Sequence, residues 1–279
     1  MLVFAGLWDT LSAKIIEKAG FDGIWVGSFT TSACLNAALD IGLRTPREHA
    51  ELVQRLKGVT NLPMVVDGEE GWGGTVHAAY WVREFERAGA EGIMFDDKGS
   101  SLASPYVKGP KWELEPLEES IAKFRAAVDA RSSPDFLIIA RSSARISHGM
   151  EEQIRRLKAY QKAGADIVWA SSTSADTLKL YRRSFEGPLW ATCNPGYGDQ
   201  ANMSVDEFRK IGIQVLCYES PVFLASVKTC LEMATEIRAK GSIAHLRDKI
   251  LPLESFLSFM GYDDVPAFLE KYRPKDSLG

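Results

Sequence analysis

Apolar residues in this chain fall into two alternating kinds of run. Short stretches without polar alternation lie at Leu2–Leu7, Pro63–Gly68, Phe136–Arg141 and Leu189–Cys193. Lacking a period of two, they read as strands covered on both faces, as in parallel pairing. Four more sit inside a repeated segment: KAGFDGIWVGS (Lys18 to Ser28), RAGAEGIMFDD (Arg87 to Asp97), KAGADIVWASS (Lys162 to Ser172) and KIGIQVLCYES (Lys210 to Ser220). Each puts a helix end first, then a glycine suited to a left-handed cap, then a buried strand. Between the strands, stretches such as TVHAAYWVREFERAGA and EEQIRRLKAYQKAGA carry helical periodicity. Eight strand-then-helix units predict a (β/α)8 barrel of the TIM type over residues 1–241, with a doubly wound open sheet as the other arrangement. Residues 242–279 change to short helical stretches, a predicted tail packing on the barrel or on a partner subunit.

Length and composition narrow the picture. A chain of 279 residues with 46% hydrophobic and 25% charged residues can bury a large core. Its net charge of -4 gives no strong attraction to nucleic acid or an anionic membrane, so neither is an expected partner. Cys34, Cys193, Cys217 and Cys230 show no paired spacing, and the first residues, MLVFAGLWDT, lack a basic leader, so a reduced cytoplasmic setting is expected.

The strand ends carry the chemistry, because in such a barrel they and the loops after them form the active face. Asp67, Glu69 and Glu70 crowd together in MVVDGEEGWGG, and Asp96, Asp97 and Lys98 end the next strand. Like charges this close call for a cation, a proton or open water between them. Asp67 with Asp96 is therefore a candidate hard-cation site for Mg2+ or Mn2+, although acids at strand ends also cap helices or stand in solvent. Arg141, flanked by apolar residues in FLIIARSS, needs an anion, either those carboxylates or a substrate carboxylate. Cys193 and Asn194, beyond the seventh strand, are candidate substrate contacts, with packing the commoner role of a lone buried thiol such as Cys193. His49 and His245 have polar, surface-like surroundings, His77 lies on a helix and His148 at a helix start, and none is spaced as a metal ligand.

The order GFDGIWVGS, DGEEGWG, MFDDK, IIARSSAR and YQKAGAD resembles the phosphoenolpyruvate mutase and isocitrate lyase superfamily, from Asp9 to Tyr272. It looks closest to the branch of phosphoenolpyruvate mutase and phosphonopyruvate hydrolase. The resemblance implies a modified barrel whose eighth helix swaps onto a partner in a homodimer or homotetramer. It also implies a Mg2+-dependent enzyme for a small 2-oxo or 2-hydroxy carboxylate, working through an enolate-type intermediate to make or break a P–C or C–C bond. Matching motif to motif, it places the metal at Asp67, Glu69, Asp96 and Asp40. The substrate carboxylate then lies at Gly27, Ser28 and Phe29, with Arg141 and Lys98 catalytic; Trp25, Arg141 and Asn194 are the further expected substrate contacts. Trp72 takes the place of the family's Tyr or Phe and is expected to wall the pocket.

The departures lie in the reacting groups. The gating stretch reads DDKGSSLASPYVKGPKW, without the lyase cysteine or the mutase lysine at its usual spacing. Ser100, Ser101, Ser104, Tyr106 and Lys108 stand where a lid would carry them, with Tyr106 or Lys108 as acid or base, or all as surface decoration. Ser143 replaces a family carboxylate, Ala170 a mutase histidine, and Asp96 a glutamate. Losing phosphoryl-binding groups favours a carbon substrate, because a hydrogen bond to a charged group is worth about 1.5 to 3 kcal/mol. Two other functions follow: a C–C lyase on a non-phosphorylated acid, and a catalytically retired barrel that binds a carboxylate or a protein partner.

Overall fold

The computed structural model describes residues 1–99, 113–172, 174–196 and 198–273. Eight parallel strands close into a barrel in sequence order: β1 (Leu2–Gly6), β2 (Gly23–Val26), β3 (Met64–Asp67), β4 (Gly92–Phe95), β5 (Leu137–Ala140), β6 (Ile167–Trp169), β7 (Leu189–Thr192) and β8 (Val215–Tyr218). β8 returns to β1 with Phe4 opposite Cys217, so no open edge is left and the open-sheet alternative falls away. All eight strands lie within the apolar runs picked out from the sequence.

The repeated glycines show why the units recur. Gly20, Gly89, Gly164 and Gly212 all have positive φ, between 83° and 110°, the turn that ends one helix and starts the next strand. Helix starts are equally local in origin. Asp9 with Ser12, Thr45 with Glu48, and Ser204 with Glu207 each form a reciprocal capping box.

Two apolar layers hold the barrel. The outer one packs strand residues such as Ile24, Val66, Ile93 and Phe95 against Val82, Phe85, Phe124 and Leu157 of the surrounding helices. The inner one fills the barrel with Phe4, Trp25, Val65, Met94, Ile139, Trp169 and Trp190. Trp169 and Trp190 stack with centroids 5.2 Å apart, and Trp25 meets Trp169 at 4.9 Å, so aromatic rings floor the mouth.

The chain divides into compact units at 1–224 and 225–279, a boundary inside the helix Pro221–Lys240. The second unit contains the helices Leu253–Met260 and Val265–Lys271, matching the short helical stretches expected there. It exposes much apolar surface, with Leu231, Leu253, Phe268 and Leu269 each more than 60% accessible. Among the described residues no helix is long and apolar enough to cross a membrane.

Candidate active site

A cavity of about 190 Å3 opens at the carboxyl ends of the strands. Its wall includes Trp25, Gly27, Ser28, Phe29, Asp40, Asp67, Glu69, Asp96, Lys98, Arg141 and Asn194, every expected site residue within the described chain. Tyr106 and Lys108, with Ser100, Ser101 and Ser104, lie outside the described residues.

The β3 turn explains how three acids fit so close together. Glu69 and Trp72 adopt left-handed backbone at φ 51° and 55°, alongside Gly71, Gly73 and Gly74. Such φ values are uncommon for residues with side chains and mark a turn held by its surroundings. Here the Glu69 amide donates to Asp67 Oδ1 at 3.0 Å, and the Glu69 carbonyl accepts the Asp96 amide at 2.8 Å. Lys123, wholly buried, donates to the carbonyls of Glu70 and Asp96 and to Glu115, tying the turn to the end of β4. The same geometry sends Trp72 outward, against Phe85 at 5.7 Å and Trp81 at 5.9 Å. Trp72 is thus part of the outer apolar layer and does not wall the cavity.

Asp67 and Asp96 lie on neighbouring strand ends with opposite electrostatics. Asp67 takes the Ser28 hydroxyl at 3.0 Å, and burial together with Glu69 pushes its carboxyl up to about 7. Burial also opposes the Asp96 charge, but Arg141 and Lys98 outweigh it and hold that carboxyl below its usual range. Arg141 Nε is 3.2 Å from Asp96 Oδ2, Ser143 Oγ donates to the same oxygen at 2.9 Å, and the guanidinium lies 5.7 Å over the Trp169 ring. Ser143, standing where the family has a carboxylate, thus serves here as a donor to Asp96. Lys98 pairs with Glu69, which occupies one expected ligand with an internal cation. Asp40 is raised by burial and by Glu69.

Among the described residues no three Asp, Glu, His or Cys side chains form a ready-made metal cage. Mg2+ does not need one, since it commonly keeps several waters and takes one or two carboxylates. The donors here are carboxylate oxygens, and Asp67 is buried beside a second acid, Glu69, with its carboxyl raised by that burial and by the neighbouring charge. Those two facts fit a hard divalent cation at Asp67 and Asp96.

Other side chains depart from the sequence reading. His49 is buried, not in a surface setting: Nε2 contacts the Val26 carbonyl at 3.0 Å and Nδ1 faces the Arg44 guanidinium. Because a carbonyl only accepts and a guanidinium only donates, the ring is the neutral Nε2–H tautomer. His148 is exposed between the short helix Ala144–Ser147 and the next helix, Met150–Lys162. Asn194 reaches the cavity, but its amide nitrogen donates to Glu219 and its oxygen accepts the Ser220 amide. Glu219, Arg145, Ser171 and Ser172 also line the wall without having been assigned roles from the sequence. For Glu219, Ser171 and Ser172 the only signal was position just beyond a strand, and Arg145 sits in the short helix Ala144–Ser147 that follows β5.

Residues 1–238 match the family model described as phosphoenolpyruvate phosphomutase. A 2-methylisocitrate lyase of Aeropyrum pernix is 31% identical, covering 95% of this chain and 84% of that protein. The phosphoenolpyruvate phosphomutase structure from Streptomyces platensis subsp. rosaceus aligns with a TM-score of 0.89 at 26% identity, covering 98% of this chain and 94% of that one. A phosphonopyruvate hydrolase structure in complex with oxalate and Mg2+ aligns with a TM-score of 0.85 at 27% identity, with the same coverage. Lyase, mutase and hydrolase are thus all represented among its relatives, and the chain belongs to the phosphoenolpyruvate phosphomutase family of barrel enzymes.

Proposed function

We propose that this protein is a Mg2+-dependent enzyme that binds a small 2-oxo or 2-hydroxy carboxylate and makes or breaks the bond to its third carbon through an enolate. The carrying observation is the convergence on one cavity of Asp67 from β3, Asp96 after β4, Arg141 after β5 and the helix start at Ser28 and Phe29. Bound at Asp67 and Asp96, the cation would act as a Lewis acid toward the 2-oxo group. Backbone amides at the start of the helix Ser28–Asn36 suit a substrate carboxylate. Gly27 lets the Trp25 ring pack against that helix start, because a Cβ there would lie 2.4 Å from Trp25 Nε1. Arg141 supplies a fixed positive charge beside the developing oxyanion, and the aromatic floor keeps water from beneath it.

A carbon substituent on the third carbon is favoured over a phosphonate. Lys98 already pairs with Glu69, which withdraws one cation from a dianionic substituent, and Ala170, read as standing where the mutases carry histidine, lies in the outer apolar layer and brings no group to the wall. This favours a C–C lyase on a non-phosphorylated acid.

Assembly belongs to the same proposal. The unit 225–279 exposes Leu231, Leu253, Phe268 and Leu269, a patch that a monomer in water seldom carries. A homodimer or homotetramer with the last barrel helix exchanged between copies would cover it. Light scattering at micromolar concentration is expected to give a multiple of 30.8 kDa, and a clean monomer refutes the exchange. The functional reading is tested by calorimetry: oxalate is expected to bind with Mg2+ present and not with the metal chelated. Equal binding in both conditions, or none in either, contradicts it.

A further inference from the structure

An enolate requires a group that exchanges a proton with carbon, and the described cavity wall offers few. It carries no cysteine, histidine or tyrosine. Its acids Asp40, Asp67, Glu69 and Asp96 share one electrostatic cluster with Lys98 and Arg141. Glu219 comes from the strand opposite Asp96, just after β8 and four strands from β4 in either direction around the closed barrel, and it feels only Arg141 and Asp40 of that cluster. It therefore faces Asp96 from across the mouth, and both line the cavity.

Its setting is built. Asn194, just after β7, accepts the Ser220 amide at 3.1 Å and the Ser220 hydroxyl at 3.4 Å through its oxygen. That fixes the amide flip, so the nitrogen must point the other way, where it donates to Glu219 Oε2. β1 lies close on the other flank: a Cβ on Gly6 would fall 1.9 Å from the Glu219 carbonyl oxygen, so glycine is required for this approach. Burial, with a smaller contribution from Asp40, raises the Glu219 carboxyl above its ordinary value, while Arg141 and Asn194 act in the opposite sense.

We propose that Glu219 is the general acid–base of this site, exchanging a proton with the third carbon of a bound 2-oxo acid, with Asn194 as its positioning residue. The inference rests on the 2-oxo acid reading above. As the C3–H bond breaks, the proton passes to Oε1, the oxygen not held by Asn194. The bonding pair becomes the C2=C3 double bond, and the carbonyl π pair moves onto the C2 oxygen, which lies toward the Asp67 and Asp96 side. Reversal returns the proton, or a deuteron taken from solvent, to the same carbon. No oxidant or further reactant is involved.

The test uses the full-length protein with Mg2+ and pyruvate in D2O, following deuterium at the methyl carbon by NMR, with oxalate affinity measured in parallel. Wild type is expected to exchange. Glu219→Gln should slow exchange at least about 100-fold while oxalate affinity stays within about threefold, the scale of a lost acid–base. Asn194→Ala should lower the rate at saturating pyruvate with oxalate affinity kept, and a loss of affinity instead would make Asn194 a substrate ligand. Glu219→Asp, which keeps an acid one methylene back, guards against misfolding: it should bind oxalate and exchange more slowly than wild type. Glu219→Gln or Glu219→Asp exchanging at the wild-type rate overturns the assignment. So does a wild type that binds oxalate with Mg2+ yet leaves pyruvate unexchanged, an outcome that spares the binding site proposed above. A wild type with no Mg2+-dependent oxalate binding removes both.

Discussion

Asp96 and Asp97 are neighbours in sequence, yet they belong to two regions with opposite character. Asp97 turns outward into the layer behind β4 and β5. There it receives Ser142 Oγ at 2.7 Å, the Ser143 amide at 2.9 Å, the Tyr160 hydroxyl at 2.7 Å and Arg156 at 3.3 Å. Asp96 turns inward to a cavity where Asp40, Asp67 and Glu69 share Lys98 and Arg141 as nearby cations. The outer layer has assigned each partner and fixes geometry. Within the inner one, burial and the neighbouring Glu69 raise the Asp67 carboxyl, and the acids face an open cavity.

The comparison breaks most decisively at Asp67. Asp67→Ala is expected to abolish Mg2+-dependent oxalate binding in the calorimeter while the metal-free protein melts at the same or a higher temperature, since a repulsive buried charge has gone. A marked drop in the metal-free melting temperature would make Asp67 a structural residue like Asp97. In the outer layer the reverse holds. Asp97→Ala removes the buried acceptor shared by Ser142, Tyr160 and Arg156 and should cost about 3–5 kcal/mol in urea denaturation, the scale of a broken buried pair. A cost below about 1 kcal/mol would show that this layer is not the rigid support of the site.

A smaller effect sharpens the contrast through pH. Burial and then the Arg44 charge hold His49 well below its ordinary value of 6.5. The unfolded chain therefore takes up a proton below about pH 6.5 that the folded chain refuses, so stability is complete above that pH and lost as pH falls. The slope contributed is about 1.4 kcal/mol per pH unit until the folded imidazole itself titrates. His49→Gln should flatten the stability profile below pH 6.5, and an unchanged slope would mean that the ring is protonated in the fold.

How much of this was legible in the sequence depends on the range of the forces involved. Strand order and the capping glycines are local, and the four repeated segments announced them; Gly20, Gly89, Gly164 and Gly212 all take the positive φ expected. The acidic strand ends were legible because the barrel gathers such ends at one mouth. Trp72 was misread because its direction follows from left-handed backbone at Glu69 and Trp72 itself, which no side-chain pattern reports. His49 was misread from its immediate neighbours Arg47, Glu48 and Glu51, although it shares a helix face with Val53 and Leu56, and that spacing does signal burial. Glu219 went unassigned because its partner Asn194 is 25 residues away and becomes adjacent only when β7 pairs with β8.

The central claim, that the mouth between β3, β4 and β5 holds Mg2+ and a 2-oxo acid, is tested most directly by a crystal structure with Mg2+ and oxalate. The expected result is one ion reached by Asp67 and Asp96, directly or through water. Oxalate should bridge that ion to the backbone amides at Ser28 and Phe29, with Arg141 alongside. Oxalate bound elsewhere, or in the cavity without an ion at Asp67 and Asp96, would contradict it.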